Sequence, residues 1–261
     1  MKRARFLVEG RYEEGRLAEP GVLVDAQGRA YREADVRFLP PVAAPGKILG
    51  LALNYADHAG ELGLDVPPDP AIFFKPATAL VGHRGAVVYP AGVEYMHYEN
   101  ELAVVIGRRC RRVRAEHALE MVAGYTIAND ITVRDFVRNV FRPPVKGKGW
   151  DTFLPIGPYL VEDEIADPHA LELRTFVNGE LRQRGNTADQ LTKVPQLIAY
   201  LTEFMTLEPG DILLTGTPKG LSHVHAGDEM RLEIDGLGAL ESKVIAEAGR
   251  PDQEVLRVRP R

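Results

Sequence analysis

Short apolar stretches separated by turn residues recur along this chain, and they constrain the fold more than any other feature of the sequence. Each stretch has the length of a β-strand and is too short for a typical buried helix. Many strands with few helices favour an α+β, mostly β fold over a doubly wound parallel sheet. In the main body we predict strands over residues 48–53, 71–74, 102–106, 125–128, 171–177, 212–215, 230–234 and 239–245.

Two segments, 115–122 and 195–205, carry apolar residues at helical spacing instead. The second begins with Pro195, which suits the first turn of a helix. Between two strand candidates, the pair Asn178-Gly179 predicts a two-residue hairpin, because a type I′ turn needs positive φ at both central residues.

The chain divides into three predicted parts. Residues 1–44 form a small N-terminal β segment, because short strand candidates there end in the proline-rich stretch 40–45. Residues 45–248 form the main domain. Residues 249–261 form a polar C-terminal tail that we expect to be frayed.

The chain has 261 residues, and 32 Lys and Arg against 37 Asp and Glu give a net charge of −5 with neutral histidines. This acidity excludes the broad cationic surface that a dedicated nucleic-acid binder needs. The arginine-rich run 108–114 lies between a strand candidate and a helix candidate, and we interpret it as a solvated turn.

A single cysteine, Cys110, excludes an intramolecular disulfide and a zinc cluster held by thiolates. No apolar run approaches the roughly 18 residues needed to cross a bilayer. The apolar stretch after the basic N-terminal residues is too short for an export signal. We therefore expect a cytoplasmic protein without a membrane partner, which agrees with a reduced cysteine.

Three carboxylates lie where buried strand candidates begin or end. Glu99 and Glu101 run straight into the apolar residues 102–106, and alternate residues of a strand project from the same face. Two such carboxylates repel each other and lose hydration unless a cation or a basic side chain lies between them. Asp130 ends another apolar stretch and adds a third carboxylate. The alternative is a strand end that reaches water.

The composition of this group favours a hard cation. Three carboxylates without a suitable His or Cys pair are typical ligands of Mg²⁺ or Mn²⁺, and such sites leave positions open for water and a substrate oxygen. The sequence therefore predicts one of these two cations and disfavours zinc.

Three further segments carry candidate substrate groups. Glycines flank Lys148, so the backbone can turn tightly and aim its ammonium at a substrate carboxylate or an enolate oxygen. If the turn around His58 is helical, His58 and Glu61 can pair as a general base or position a water. Gly216 and Thr217 follow a buried strand candidate, where their amides and hydroxyl could bind a carboxylate. The alternatives are a solvated lysine, a surface ion pair and a plain turn.

Taken together, these residues resemble the fumarylacetoacetate hydrolase family. The likeness covers about residues 45–246 in the order typical of the family, and no single motif carries it. The matching segments are Asn54-Tyr55-Ala56-Asp57-His58 with Glu61, Phe74-Lys75-Pro76, Tyr98-Glu99-Asn100-Glu101-Leu102, Gly124-Tyr125-Thr126 through Asn129-Asp130, Arg134-Asp135, Lys148 before Asp151-Thr152-Phe153, and Leu214-Thr215-Gly216-Thr217-Pro218.

The resemblance implies a mixed β-sandwich roll, usually dimeric, with residues 45–248 as the catalytic domain. It implies a divalent cation, Mg²⁺ or Mn²⁺, held by Glu99, Glu101 and Asp130.

It also implies a lid that carries the pair His58 and Glu61, Lys148 at the substrate, and Thr217 on the substrate carboxylate. Candidates for binding the distal carboxylate are Arg134, Arg142 and Lys219.

Within the family, several segments are most similar to enzymes that isomerise or decarboxylate unsaturated 2-oxo or 2-enol acids in aromatic catabolism. We therefore expect a metal-dependent isomerase or decarboxylase whose substrate is a small dicarboxylate or tricarboxylate. Known versions are often two fused repeats, whereas this sequence holds one. The segments are Phe141-Arg142-Pro143, 176–183, 198–201, 203–207 and 216–222.

Three alternatives stay open on the sequence. A sibling enzyme, an acylpyruvate hydrolase or oxaloacetate decarboxylase, would use the same cation and lid. A ligand-binding protein that retains the fold would bind without turnover. A nucleic-acid module would bind through residues 108–114, with salt-dependent affinity.

Overall fold

The computed structural model describes residues 1–61, 63, 65, 68–137 and 143–248. In this part of the chain the α-helices are α1 Ala56–Glu61, α2 Val145–Lys148 and α3 Val194–Phe204. Short 3₁₀ helices cover Glu33–Asp35, Ala77–Ala79, Ala115–Met121, Arg134–Phe136 and Thr187–Asp189. The strands are β1 Lys2–Val8, β2 Arg11–Glu19, β3 Val22–Asp25, β4 Ala30–Arg32, β5 Arg37–Leu39, β6 Ile48–Ala52, β7 Ala71–Phe74, β8 Leu80–Val81, β9 Ala86–Tyr89, β10 Met96–His97, β11 Asn100–Ile106, β12 Val122–Asn129, β13 Thr132–Val133, β14 Leu154–Val161, β15 Glu172–Val177, β16 Glu180–Asn186, β17 Ile212–Leu214, β18 Glu229–Ile234 and β19 Gly238–Ala246.

Twelve of these strands form one large mixed sheet. They follow the order β4-β3-β2-β1-β14-β12-β11-β17-β6-β7, while β5 pairs with β1 and β8 pairs with β14. The pairs β17–β6 and β8–β14 are parallel, whereas β11 runs antiparallel to both of its neighbours. As its apolar run predicts, β11 is buried along its whole length.

A second sheet of five strands, in the order β16-β15-β18-β19-β9, packs on the large sheet. In this packing β19 lies against β14, and β15 and β18 lie against β11 and β12. Leu102 and Val104 of β11 belong to the same apolar core as Leu232 of β18 and Leu240 of β19. The predicted α+β, mostly β fold with a mixed β-sandwich roll is confirmed.

The local patterns of the main body predict its elements well. Each strand range predicted there coincides with an observed strand, with ends that differ by a few residues. Asn178 and Gly179 have φ angles of 51° and 81°, as the predicted hairpin requires. The helix predicted over 195–205 is α3, whereas 115–121 forms a 3₁₀ helix rather than an α-helix.

The strand pattern does not predict β14, which nevertheless lies between β1 and β12. Its apolar run is interrupted by Pro155 and Pro158, and proline is normally excluded from inner strands because it cannot donate a ladder hydrogen bond. Here the register with β12 shifts between Gly157 and Val161, so that Pro158 lies where the ladder is interrupted.

The N-terminal strands continue the large sheet, because β1 pairs with both β2 and β14. The boundary at residue 44 stays a prediction, and the predicted tail 249–261 lies outside the described residues. None of the helices in the described ranges is long and apolar enough to cross a membrane.

Candidate active site

Strand ends that carry the candidate residues meet at one end of the large sheet. Since β11 runs antiparallel to β12 and β17, its start lies beside the ends of both. The strand β6 runs parallel to β17 and ends on the same side. This end of the sheet therefore collects Glu99 and Glu101 before and in β11, Asp130 after β12, Gly216 after β17, and helix α1 after β6.

Glu99, Glu101 and Asp130 form a compact group, which we call the acidic triad. One carboxylate oxygen from each lies within 4.8 Å of the others. The three residues are 6%, 1% and 0% exposed, so the alternative of a strand end in water is wrong. Backbone pairing fixes the arrangement, because the Asp130 N–H donates to the Glu99 carbonyl at 2.9 Å.

Two ammonium groups reach the acidic triad. Lys148, at the end of α2, donates from Nζ to Glu99 Oε2 at 2.9 Å and to Asp130 Oδ2 at 2.5 Å. It is 6% exposed, so the alternative of a solvated lysine is wrong. Lys75, directly after β7, donates from Nζ to Asp130 Oδ1 at 2.6 Å. The sequence reasoning misses the role of Lys75, although a lysine between Phe74 and Pro76 at a strand end was the available signal.

Three carboxylates face two ammonium groups here, and this excess of negative charge affects the pKa values of the acidic triad and of Lys148. Burial, together with the charges on Asp130 and Glu99, raises the pKa of Glu101 well above its usual value. Burial alone would raise the pKa of Glu99 too, but Lys148 and other nearby basic groups hold it below its usual range. Burial would lower the pKa of Lys148, yet the three carboxylates raise it. A divalent cation at the three oxygens would supply the missing charge, so the triad fits the predicted hard cation.

Gly216 holds Glu101 in place. Its N–H donates to Glu101 Oε2 at 2.6 Å. This amide was predicted to bind a substrate carboxylate, and in the structure it binds a carboxylate of the protein. Gly216 has a φ of 86°, and a Cβ there would lie 2.8 Å from Asn54 Cβ. The Asn54 side chain fixes the same turn by donating to the Thr215 carbonyl at 2.8 Å.

Thr217 lies next in the chain and is 2% exposed. Its Oγ1 accepts a hydrogen bond from Gln183 Nε2 at 2.9 Å, and Gln183 Oε1 accepts one from Thr175 at the same distance. Because the Thr217 oxygen already accepts from Gln183, its own O–H is the group that can donate to a substrate carboxylate.

Helix α1 carries the predicted pair, and the expected helical turn is confirmed. His58 Nδ1 lies 3.2 Å from Glu61 Oε2. Because a carboxylate only accepts, Nδ1 carries the proton and Nε2 is the ring nitrogen that can exchange one. The other Glu61 oxygen accepts from the Gly220 N–H at 3.0 Å. Glu61 therefore joins α1 to residues 215–228, the loop between β17 and β18 that contains Thr217 and is called the Thr217 loop below. His58 is buried rather than a surface residue.

His97 is a second residue that the sequence reasoning misses. It is fully buried, and its Nδ1 lies 3.1 Å from the Tyr98 carbonyl and 3.7 Å from Glu99 Oε1. Burial lowers the pKa of His97 to about 4, so the ring is neutral near pH 7. The available signal was its position two residues before Glu99, which places both side chains on one face of an extended chain.

The candidates for the distal carboxylate differ in position. The charge on Arg134 contributes to the low pKa of Glu99, which places Arg134 within electrostatic reach of the acidic triad. Lys219 is exposed in the Thr217 loop, two residues after Thr217. Arg142 lies outside the described residues.

The family follows from comparison with known proteins. A family model described as fumarylacetoacetate (FAA) hydrolase C-terminal matches residues 47–245. The chain belongs to the fumarylacetoacetate hydrolase family. The acidic triad, Lys148, helix α1 and the Thr217 loop all lie within the matched residues.

Relatives within the fumarylacetoacetate hydrolase family include isomerases, decarboxylases and hydrolases. The 4-hydroxyphenylacetate degradation bifunctional isomerase/decarboxylase of Salmonella dublin is 52% identical over 211 residues, which cover 80% of this chain and 49% of that protein. The chain thus spans about half the length of the curated relatives with this activity.

Two solved structures cover the same fold. The 2-hydroxyhepta-2,4-diene-1,7-dioate isomerase from Mycobacterium marinum is 35% identical with a TM-score of 0.84, over 95% of this chain and 100% of that chain. The maleylpyruvate hydrolase from Sphingobium sp. SYK-6, in complex with manganese(II) and pyruvate, is 32% identical with a TM-score of 0.81 over the same shares.

Proposed function

We propose that this protein is a divalent-metal-dependent isomerase or decarboxylase of 4-hydroxyphenylacetate and homoprotocatechuate catabolism. Its substrates would be 2-hydroxyhepta-2,4-diene-1,7-dioate for isomerisation, 5-oxopent-3-ene-1,2,5-tricarboxylate for decarboxylation, or both. The observation that carries the proposal is the buried acidic triad with the Lys148 ammonium bonded to two of its carboxylates. Thr217 directly follows Gly216, whose N–H donates to the third carboxylate. The 52% identity to an isomerase/decarboxylase supports the substrate class.

Glu99, Glu101 and Asp130 would hold the cation, which we propose to be Mg²⁺ or Mn²⁺. When bound, the cation would polarise the 2-oxo group of the substrate and make it an electron sink. An all-carboxylate group suits these hard cations. The manganese complex of the related maleylpyruvate hydrolase supports the same choice.

Both proposed reactions share a dienolate of the substrate, formed from the tricarboxylate by loss of CO₂ or from the dienol by loss of its hydroxyl proton. The Lys148 ammonium lies inside the site and would stabilise the dienolate oxygen. The Thr217 hydroxyl would donate to the C1 carboxylate and fix that end of the substrate.

Protonation of the dienolate at C5 gives the 2-oxo-3-ene isomer, and His58 is suited to deliver that proton. Glu61 accepts from Nδ1, so it orients the ring and would stabilise the imidazolium that forms when Nε2 takes up a proton. Because Glu61 also accepts from Gly220, the pair stays in place while α1 is docked on the Thr217 loop. Helix α1 would then act as a lid over the substrate.

A substrate panel in the presence and absence of a chelator tests the proposal. We expect turnover of the dienedioate or the tricarboxylate, loss of turnover in chelator, and recovery with Mg²⁺ or Mn²⁺. Faster turnover of oxaloacetate or of an acylpyruvate would contradict the proposed substrates, and full activity in chelator would contradict the metal.

Substitution of a triad residue distinguishes loss of metal binding from loss of folding. Glu99→Gln should lose metal binding and activity while its melting temperature in chelator stays close to that of the wild type. Glu19→Gln, an exposed residue of β2, is the matched control and should retain both. Full activity of Glu99→Gln would overturn the ligand assignment.

An acylpyruvate hydrolase is the second candidate, favoured by the likeness to maleylpyruvate hydrolase. It would use the same triad, and the His58–Glu61 pair would position a water instead of carrying a proton to carbon. The substrate panel distinguishes the two candidates, and it also includes the decarboxylation of oxaloacetate.

Neither a nucleic-acid nor a membrane partner is part of the proposal. In the run 108–114, Arg109 pairs with Glu208 at 2.9 Å, and Arg111 donates to the Thr202 carbonyl at the end of α3. These arginines therefore hold the turn against neighbouring elements. A cytoplasmic homodimer stays our prediction, and sedimentation of the purified protein would test the assembly.

A further inference from the structure

Lys75 is buried completely, although the proposed chemistry gives it no part. Its side chain and that of Asp130 are both 0% exposed. An ammonium taken out of water loses its hydration, and burial accordingly lowers the pKa of Lys75. The compensating contact is with Asp130 Oδ1 at 2.6 Å, beside a longer contact of 3.4 Å to the Ile131 carbonyl.

This contact divides the two oxygens of Asp130. Lys75 Nζ donates to Oδ1, while Lys148 Nζ donates to Oδ2 at 2.5 Å and to Glu99 Oε2 at 2.9 Å, so Oδ2 lies on the side of Asp130 that faces Glu99. A carboxylate held by a charged hydrogen bond on one oxygen cannot rotate freely. Asp130 is therefore fixed with one oxygen, Oδ2, on the side of Glu99 and the other on Lys75.

The number of oxygens that a carboxylate offers matters for the choice of cation. Mg²⁺ requires near-octahedral geometry at about 2.0–2.1 Å and keeps several waters, whereas Ca²⁺ takes about 6–8 oxygens at longer distances and readily accepts both oxygens of one carboxylate. A triad in which Asp130 offers one oxygen fits the smaller cation.

We propose that Lys75 is a positioning residue that restricts Asp130 to one ligand oxygen and thereby selects a small octahedral cation over Ca²⁺. This inference rests on the metal role of the acidic triad in the proposed function. It adds a selectivity device that is separate from the three ligands.

Calorimetric titration of the metal-free full chain with MgCl₂ and with CaCl₂ tests the proposal. Lys75→Met also removes a positive charge and so strengthens the binding of any cation, but this effect is shared by two divalent cations and cancels in the ratio of their affinities. We expect the Ca²⁺ to Mg²⁺ affinity ratio to rise about tenfold, the scale on which partners of metal ligands act. Lys146→Met is the matched control, since Lys146 is an exposed residue of α2, and its ratio should equal that of the wild type.

Lys75→Gln, which is neutral but shorter than lysine, serves as a second variant should Lys75→Met fail to fold in a thermal melt. A raised ratio in the folded variant supports the inference, and a wild-type ratio overturns it while the metal site itself stands. If the wild type binds neither Mg²⁺ nor, in a parallel titration with MnCl₂, Mn²⁺, the proposed function fails instead, so the two failures are distinguishable.

Discussion

Replacing Glu101 by glutamine should leave a protein that is at least as stable without metal but gains no stability from it. Glu101 is 1% exposed, and its ligand oxygen lies within 4.8 Å of those of Glu99 and Asp130. At an effective dielectric constant of about 20, two unit charges at that separation repel by about 3.5 kcal/mol, and Glu101 has two such neighbours. Glutamine removes this repulsion and retains an oxygen that can accept from the Gly216 N–H.

The net gain is smaller than the summed repulsion by Glu99 and Asp130, because the nearby Lys148 ammonium offsets part of it. The metal has a separate effect on a protein that can bind it. A cation at about 100 times its Kd stabilises the folded state by about 2.7 kcal/mol. For a domain of this size that corresponds to an increase of about 5–10 °C in Tm.

Scanning calorimetry at neutral pH, with chelator and then with Mg²⁺, measures both effects. The wild type and the exposed control Glu19→Gln should melt at higher temperature with Mg²⁺, whereas Glu101→Gln should melt at one temperature in both conditions. An equal increase in all three proteins would refute the role of Glu101 as a ligand. A lower Tm of Glu101→Gln in chelator would refute the electrostatic argument.

Three further predictions concern other parts of the molecule. Burial lowers the pKa of His83 from 6.5 to about 4, so the neutral side chain contributes about 3 kcal/mol to the free energy of unfolding above pH 6.5, and this contribution is lost as the pH falls towards 4. His83→Gln should flatten this part of the plot of unfolding free energy against pH, measured by urea denaturation. An unchanged plot would contradict the assignment. Thr217→Val should raise KM by at least about tenfold, since a hydrogen bond to a charged group contributes about 1.5–3 kcal/mol, while Thr217→Ser should retain the wild-type value; equal KM values would rule out the contact. Arg174 pairs with Glu172, Glu233 and Asp235 on the outer face of the smaller sheet. Arg174→Met should therefore lower the free energy of unfolding by about 1–2 kcal/mol at low salt and by less in 1 M NaCl. A loss that does not depend on salt would point to packing instead.

Much of the fold can be predicted from local sequence because its strands are short, apolar and bounded by turn residues. The apolar run of β11 and the Asn178-Gly179 hairpin are examples in which local chemistry alone decides the structure. The strand β14 cannot be predicted in this way, since Pro155 and Pro158 argue against a strand and are accommodated by a register shift that depends on β12. Strand β14 forms because it pairs with distant strands, not because its residues have a high β propensity.

The same distinction between local sequence and distant pairing applies to the candidate site. Glu99 and Glu101 can be predicted to act together because alternate residues of one strand share a face. The position of Asp130 beside them depends on the register of β12 against β11. Lys75 lies 55 residues before Asp130 in the chain, and no local pattern predicts that its ammonium ends there.

Anomalous diffraction from crystals soaked in MnCl₂ tests the central claim most directly. We expect one strong manganese peak that is bonded by one oxygen each from Glu99, Glu101 and Asp130. A saturating soak that leaves these oxygens bonded to protein groups alone, or that places manganese elsewhere in the protein, would contradict the account.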